Sequence, residues 1–269
     1  MFGVRTRQYQ RFVHTEVVLA ALFFVGSARG QWPAPPGVTA AFDLQSPSVT
    51  LHEPVAIEFS LRNQSAEVVT IDLGYGREGN FQFEIIQPDG STFSPPPLPR
   101  HEGITRLPEL SIPAGETYRQ KLILNKWCPF SKPGDYRIGV TLRSVIRRGP
   151  GAHSEIVFSQ ELALRIGERD PKHLNEVCAN LAKDGMSSNA QTALDAVGLL
   201  SYVQDVIAVP YLARLCREGP LVAITKSIAL DGLMRIAKAE GPKNVISHLG
   251  PKDREQERQL RAWFGSSPP

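Results

Sequence analysis

The 269-residue chain has three cysteines, Cys128, Cys178 and Cys216, and none stands in a CxxC or Cys/His metal-ligand spacing. That excludes a scaffold built on disulfides and a structural zinc site. The six histidines are scattered singly, and no nucleophile elbow, phosphate loop or paired metal-ligand motif occurs. A catalytic centre needs convergent titratable groups, and none is legible, so the expectation is a non-catalytic protein without a cofactor. Long apolar runs are missing as well. The N-terminal run Val17–Val25 has nine residues, about half of the roughly twenty that span a bilayer.

That short run is placed like the core of an export signal. Arg5, Arg7 and Arg11 precede it, and Ala28-Arg29-Gly30 offers small residues at the two positions a signal peptidase inspects. Glu16 beside the run departs from the pattern; an uncleaved anchor or a misplaced start are the alternatives. Residues 1–30 are therefore read as a signal peptide, the mature chain as beginning near Gln31, and the location as periplasmic or extracellular. Without residues 1–30 the 30 basic and 27 acidic residues become 26 of each, and the formal charge falls from +3 to zero. Nucleic-acid binding, which needs clustered positive charge, is excluded on that balance.

From Val38 to Ile166 the chain repeats short period-2 apolar runs separated by turn residues, the pattern of strands with one buried face. Val55, Ile57, Phe59 and Leu61 alternate with Ala56, Glu58, Ser60 and Arg62; Tyr136, Ile138, Val140 and Leu142 do the same after Pro133-Gly134-Asp135. Seven to nine strands without an intervening helix predict an antiparallel immunoglobulin-like β-sandwich over residues 31–167. His52-Glu53 looks like a fragment of a zinc-protease motif, but that motif needs two histidines four apart on a helix. Here Pro54 follows and a strand begins, so the pair reads as the start of a strand. His101-Glu102-Gly103 follows the stiff Pro95-Pro96-Pro97-Leu98-Pro99 segment and carries no site either. Asn63-Gln64-Ser65 matches a glycosylation acceptor, a pattern frequent by chance.

The order of these pieces resembles the bacterial intracellular proteinase inhibitor (BsuPI-like) sandwich. The resemblance is carried by "FSLRNQS…VTIDLG", "FQFEIIQPDG", "IPAGETYRQKLIL", the lone Trp127 and "KPGDYRIGVTL", and covers about 130 residues. It implies the fold, while an inhibitor's reactive loop has no residue-by-residue match.

After Ile166 the period changes. Asp170-Pro171 sets a capping side chain before a proline suited to the first helical turn, and Leu174, Val177, Cys178 and Leu181 form a helical stripe. "ALDAVGLLSYVQDVIAVPYLARL" from Ala193 and "ALDGLMRIAKAEGPKNVISHL" from Ala229 lie 36 residues apart. Each offers two apolar helices around a polar break, which predicts a short α-solenoid over residues 168–265, with Leu194 and Leu230 at core-facing positions. The units resemble HEAT repeats. The last helix, Asp253 to Phe264, is expected to cap the array with Trp263 and Phe264 packed inward, and residues 266–269 form a tail. Cys178 and Cys216 both fall in this half and are the natural pair if one disulfide closes; small buried hydrophobes are the other reading. The function expected of such a chain is a non-catalytic exported protein-binding or scaffold protein with a protein partner. The alternative is a proteinase inhibitor acting through the Leu73–Asn80 or Pro95–Leu107 loop.

Overall fold

A computed structural model describes residues 36–97, 107–148, 152–219 and 222–265. The expected signal peptide, His101-Glu102-Gly103 and the tail lie outside them. Among the described residues ten strands are formed: β1 (Val38–Leu44), β2 (Ser48–Thr50), β3 (Ala56–Asn63), β4 (Val69–Ile71), β5 (Phe81–Ile86), β6 (Thr92–Phe93), β7 (Leu110–Ile112), β8 (Thr117–Ile123), β9 (Gly134–Arg148) and β10 (Ala152–Gly167). The expectation of seven to nine missed β2, β6 and β7, which are too short to show alternation.

One sheet is antiparallel, in the order β1-β3-β8; the other runs β2-β10-β9-β4-β7, with β5 also on β9 and β6 on β5. The second sheet is mixed, which corrects the antiparallel expectation. Pro47 to Thr50 lies along the end of β10, pairing Ser48 with Arg165 and Thr50 with Gly167 in parallel. The alternating apolar residues of both sheets meet in one core. Phe42 and Phe59 of the first sheet contact Phe81 of the second, with Phe59–Phe81 centroids 5.1 Å apart and edge-on. Where β1 passes β10, Gln160 substitutes for a ladder rung: Phe42 N donates to its Oε1 at 3.0 Å, and its Nε2 donates to Phe42 O at 2.7 Å. Asn63 of the glycosylation-like triplet is fully buried. Its amide donates to the carbonyls of Glu67 (2.7 Å) and Ile112 (2.9 Å) and accepts from Ser65 N (3.0 Å), so it pins a turn.

Among the described residues the helical half has six helices: α1 (Pro171–Gly185), α2 (Ala190–Leu200), α3 (Val209–Glu218), α4 (Val222–Glu240), α5 (Pro242–Ser247) and α6 (Arg254–Gly265). Asp170 caps α1, accepting from Lys172 N (3.0 Å) and His173 N (3.1 Å); Asn189 caps α2 through Thr192 N (3.0 Å). Helix α1 packs on α2 and α3, α4 packs on α2 and α3, and α5 and α6 pack on α4. Buried positions recur at the 36-residue offset: Ala193 with Ala229, Val197 with Leu233, Leu200 with Ile236, Val209 with Val245, each at most 2% exposed. Leu194 and Leu230 are only partly buried, which corrects their placement at the centre of the core face. One residue is 100° of helix turn, and the face is centred on the alanine before each leucine. Phe264 packs against the core, whereas Trp263 is 60% exposed, so only half of the expected aromatic cap turns inward.

Cys178 and Cys216 are not bonded to each other. Both, and Cys128, are free buried thiols. Burial pushes Cys178 up to about 12 and Cys128 and Cys216 up to about 11, so all three stay protonated and unreactive at neutral pH. The expected result is that a thiol reagent labels none of them in the native protein and all three after unfolding without reductant. Two equivalents withheld until reductant is added would restore the disulfide.

The described residues all belong to one compact unit, and the joint between strands and helices is built. Ala56, Ile123 and Leu199 bury a small apolar cluster, with Leu181 and Tyr202 against it. Helix α2 touches β8 at Gly198, where an added Cβ would make only an ordinary van der Waals contact, 3.5 Å from Ile123 Cδ1.

Candidate functional site

Around that joint lies a cleft of about 340 Å3. Helical spacing turns Leu194, Gly198 and Ser201 of the α2 segment to it, and Ile228, Asp231 and Arg235 of α4. The opposite wall comes from the β half: Lys121 and Ile123 of β8, Lys126 in the turn after it, and Glu78 in the glycine-rich Gly74–Asn80 loop. The two helices are held close because Gly232 has no side chain; a Cβ there would stand 2.8 Å from Ser201 Cα.

Charge is abundant in the cleft and mostly compensated. Lys126 Nζ donates to both Glu78 oxygens, at 2.7 and 2.9 Å, and Lys121 Nζ stands 3.6 Å from Asp195 Oδ2. Both pairs are partly shielded from water, with side-chain exposures of 16–31%. The Arg235 guanidinium lies 4.0 Å over the Tyr202 ring, a cation–π contact, and its Nη1 donates to Ser201 O and Oγ at 3.2 Å. Burial raises the Tyr202 phenol above its ordinary value, outweighing the pull of Arg235 in the other direction. The phenol is thus a neutral wall at physiological pH.

His52-Glu53 takes part in the joint, a role its sequence pattern does not announce. His52 adopts φ +74° in the turn before β3, a strained conformation for a residue with a side chain, and its carbonyl accepts from Gln204 N at 3.1 Å. Glu53 Oε2 accepts from Thr50 N (2.9 Å) and meets His173 Nε2 of α1 at 3.1 Å. Thr50 Oγ1 donates to Glu168 O and accepts from Asp170 N. Beside them Arg169 forks onto Asp205, at 2.6 and 3.2 Å. Burial raises the Asp205 carboxyl, but the bonds from Arg169 and the Ile207 N–H prevail and hold it below the ordinary carboxylate value.

A carboxylate lowered in the folded state adds stability above its unfolded value of about 3.9 and loses it as pH falls through the lower folded value. Asp205→Asn is therefore expected to destabilise the protein at pH 7 and to flatten the acid limb below about pH 4. Urea melts at neutral and acid pH check this; an unchanged acid limb would remove Asp205 from the linkage.

A second hollow of about 420 Å3 opens on the larger sheet where β4 and β5 part from β9, between Arg143, Arg147, Glu109 and Glu155. Its main contact, Arg147 Nη1 to Glu109 Oε2 at 2.6 Å, is an exposed ion pair. Among the described residues, no group of three or more His, Cys, Asp or Glu is placed to hold a metal ion. No helix there is long and apolar enough to cross a membrane.

The ASH/PapD-like domain of human CEP192 is 11% identical, with a TM-score of 0.30, over 61% of this chain and 100% of that one. The structural-genomics target SoR45 is 11% identical, with a TM-score of 0.28, over 47% of this chain and 84% of its own. The sporulation control protein Spo0M of Bacillus subtilis is 15% identical, with a TM-score of 0.26, over 54% and 56%. Likenesses at this level carry no argument about what the chain does. No protein-family model matches the chain, and no curated protein matches it.

Proposed function

We propose that the chain is a non-catalytic exported binding or scaffold protein, in which a BsuPI-like immunoglobulin-type sandwich carries a short HEAT-like array that presents surface to a protein partner. The observation that carries this reading is the recurrence of four buried positions at 36 residues, across two successive helix pairs. Repeats of this length bury their apolar faces on one another and leave an extended outer surface for recognition. The charges of the cleft at the joint support binding over chemistry: four of its six are spent on one another and a fifth on an aromatic ring. Export is supported by the basic, apolar and small-residue order of residues 1–30.

The test is affinity capture from an envelope extract with the full mature chain, followed by rebinding of the purified candidate. A partner that rebinds at about micromolar affinity or better, and loses that affinity when charges on the outer faces of α2 to α5 are reversed, supports the reading. Failure of every purified candidate to rebind overturns it. The alternative, a proteinase inhibitor, draws on Arg77, held at φ +60° in the Gly74–Asn80 loop. Titrating a protease panel with the protein separates the two, because an inhibitor abolishes activity at stoichiometric concentration and a scaffold does not.

A further inference from the structure

The geometry points to the cleft between β8, α2 and α4 as a binding site for a zwitterionic α-amino acid with an apolar side chain. This goes beyond the protein-binding reading and does not depend on it. Six charged side chains line the cleft, three acidic and three basic, so the walls are neutral in sum and favour a ligand without net charge. Lys126 and Glu78 neutralise each other, as do Lys121 and Asp195. The two left over are Asp231 and Arg235, of opposite sign and four residues apart on α4.

Side chains at that spacing are neighbours and ordinarily pair. Here they do not. Arg235 is turned onto the Tyr202 ring and the Ser201 oxygens, and Asp231 has no hydrogen bond or ion pair among the described residues. A guanidinium has five N–H donors; among the described residues only those on Nη1 are hydrogen-bonded. One turn of helix thus displays a free carboxylate beside a guanidinium with donors to spare. An ammonium on Asp231 and a carboxylate on Arg235 complete both with charge-assisted hydrogen bonds, and in an α-amino acid the two groups share one carbon. Ile123, Leu194 and Ile228 supply the apolar floor for the side chain. At about 340 Å3 the cleft is near the bottom of the roughly 300–1,000 Å3 range of ligand pockets, which suits a single residue better than a longer peptide.

The experiment is calorimetric titration of the full chain with L-leucine, N-acetyl-L-leucine and L-leucinamide. Leucine is expected to bind, and blocking either end is expected to weaken binding roughly tenfold or more, the loss that follows removal of a charge-assisted hydrogen bond. Asp231→Asn is expected to weaken leucine by a similar factor and to leave N-acetyl-L-leucine unchanged. Asp231 is exposed and unpartnered, so its variant should melt at the wild-type temperature, which the same samples verify. No heat with leucine up to about 10 mM, blocked forms binding as well as leucine, or an unaltered Asp231→Asn would each overturn the proposal. A protein that ignores leucine yet rebinds its purified partner refutes this inference alone.

Discussion

Replacing Phe59 by alanine is expected to destabilise the protein by about 3–5 kcal/mol, the range for emptying a buried aromatic site. Phe59 is fully buried and sits at the junction of the two sheets. It faces Phe42 across the β1–β3 ladder, with centroids 5.2 Å apart, and meets Phe81 of the opposite sheet edge-on. Truncation removes a cross-strand aromatic pair and a cross-sheet one together, each worth about 0.5–1.5 kcal/mol beyond burial. The flanking Ile57 and Leu61 point the same way from the same strand, and the ladders on both sides of β3 hold them, so the void cannot close by a local shift. Urea melts should show a lower midpoint at unchanged slope. A loss under about 1 kcal/mol would mean that the two sheets do not share a core at this point.

The β half was legible in sequence because burial on one face imposes a period of two that hydrophobicity records directly. Phe59, Ile138 and Leu142 are legible that way. The parallel run of β2 along β10 was not, because three residues carry no period and β-pairing direction leaves no mark on composition. His52-Glu53 shows the same limit from the functional side. Its neighbours Gln204, Asp205 and His173 come from distant segments, and their convergence is set by tertiary packing. The cleft charges are likewise scattered from Glu78 to Arg235. What the sequence did contain, unread, was the i, i+3, i+7 spacing of Ile228, Asp231 and Arg235: a polar pair on the face of α4 away from its alanine–leucine stripe.

The repeat reading itself is tested at one helix turn. Leu233→Ala is expected to destabilise the protein by about 2–5 kcal/mol, whereas Leu230→Ala should cost about 1–2 kcal/mol, as suits a side chain already partly in water. Leu233 is fully buried in the helical core, as is Val197 at the matching position 36 residues earlier, while Leu230 only packs against that core from its margin. The damage from Leu233→Ala should spread to α2 and α3, which pack on α4, because helix pairs of this kind are stabilised chiefly by their neighbours. Amide exchange reads both magnitude and reach: faster exchange is expected across α2 to α5, with β3, β9 and β10 retaining their protection. If Leu230→Ala proved the costlier of the two, the buried face of α4 would be rotated by one residue, and the 36-residue correspondence of buried positions would no longer describe how these helices pack.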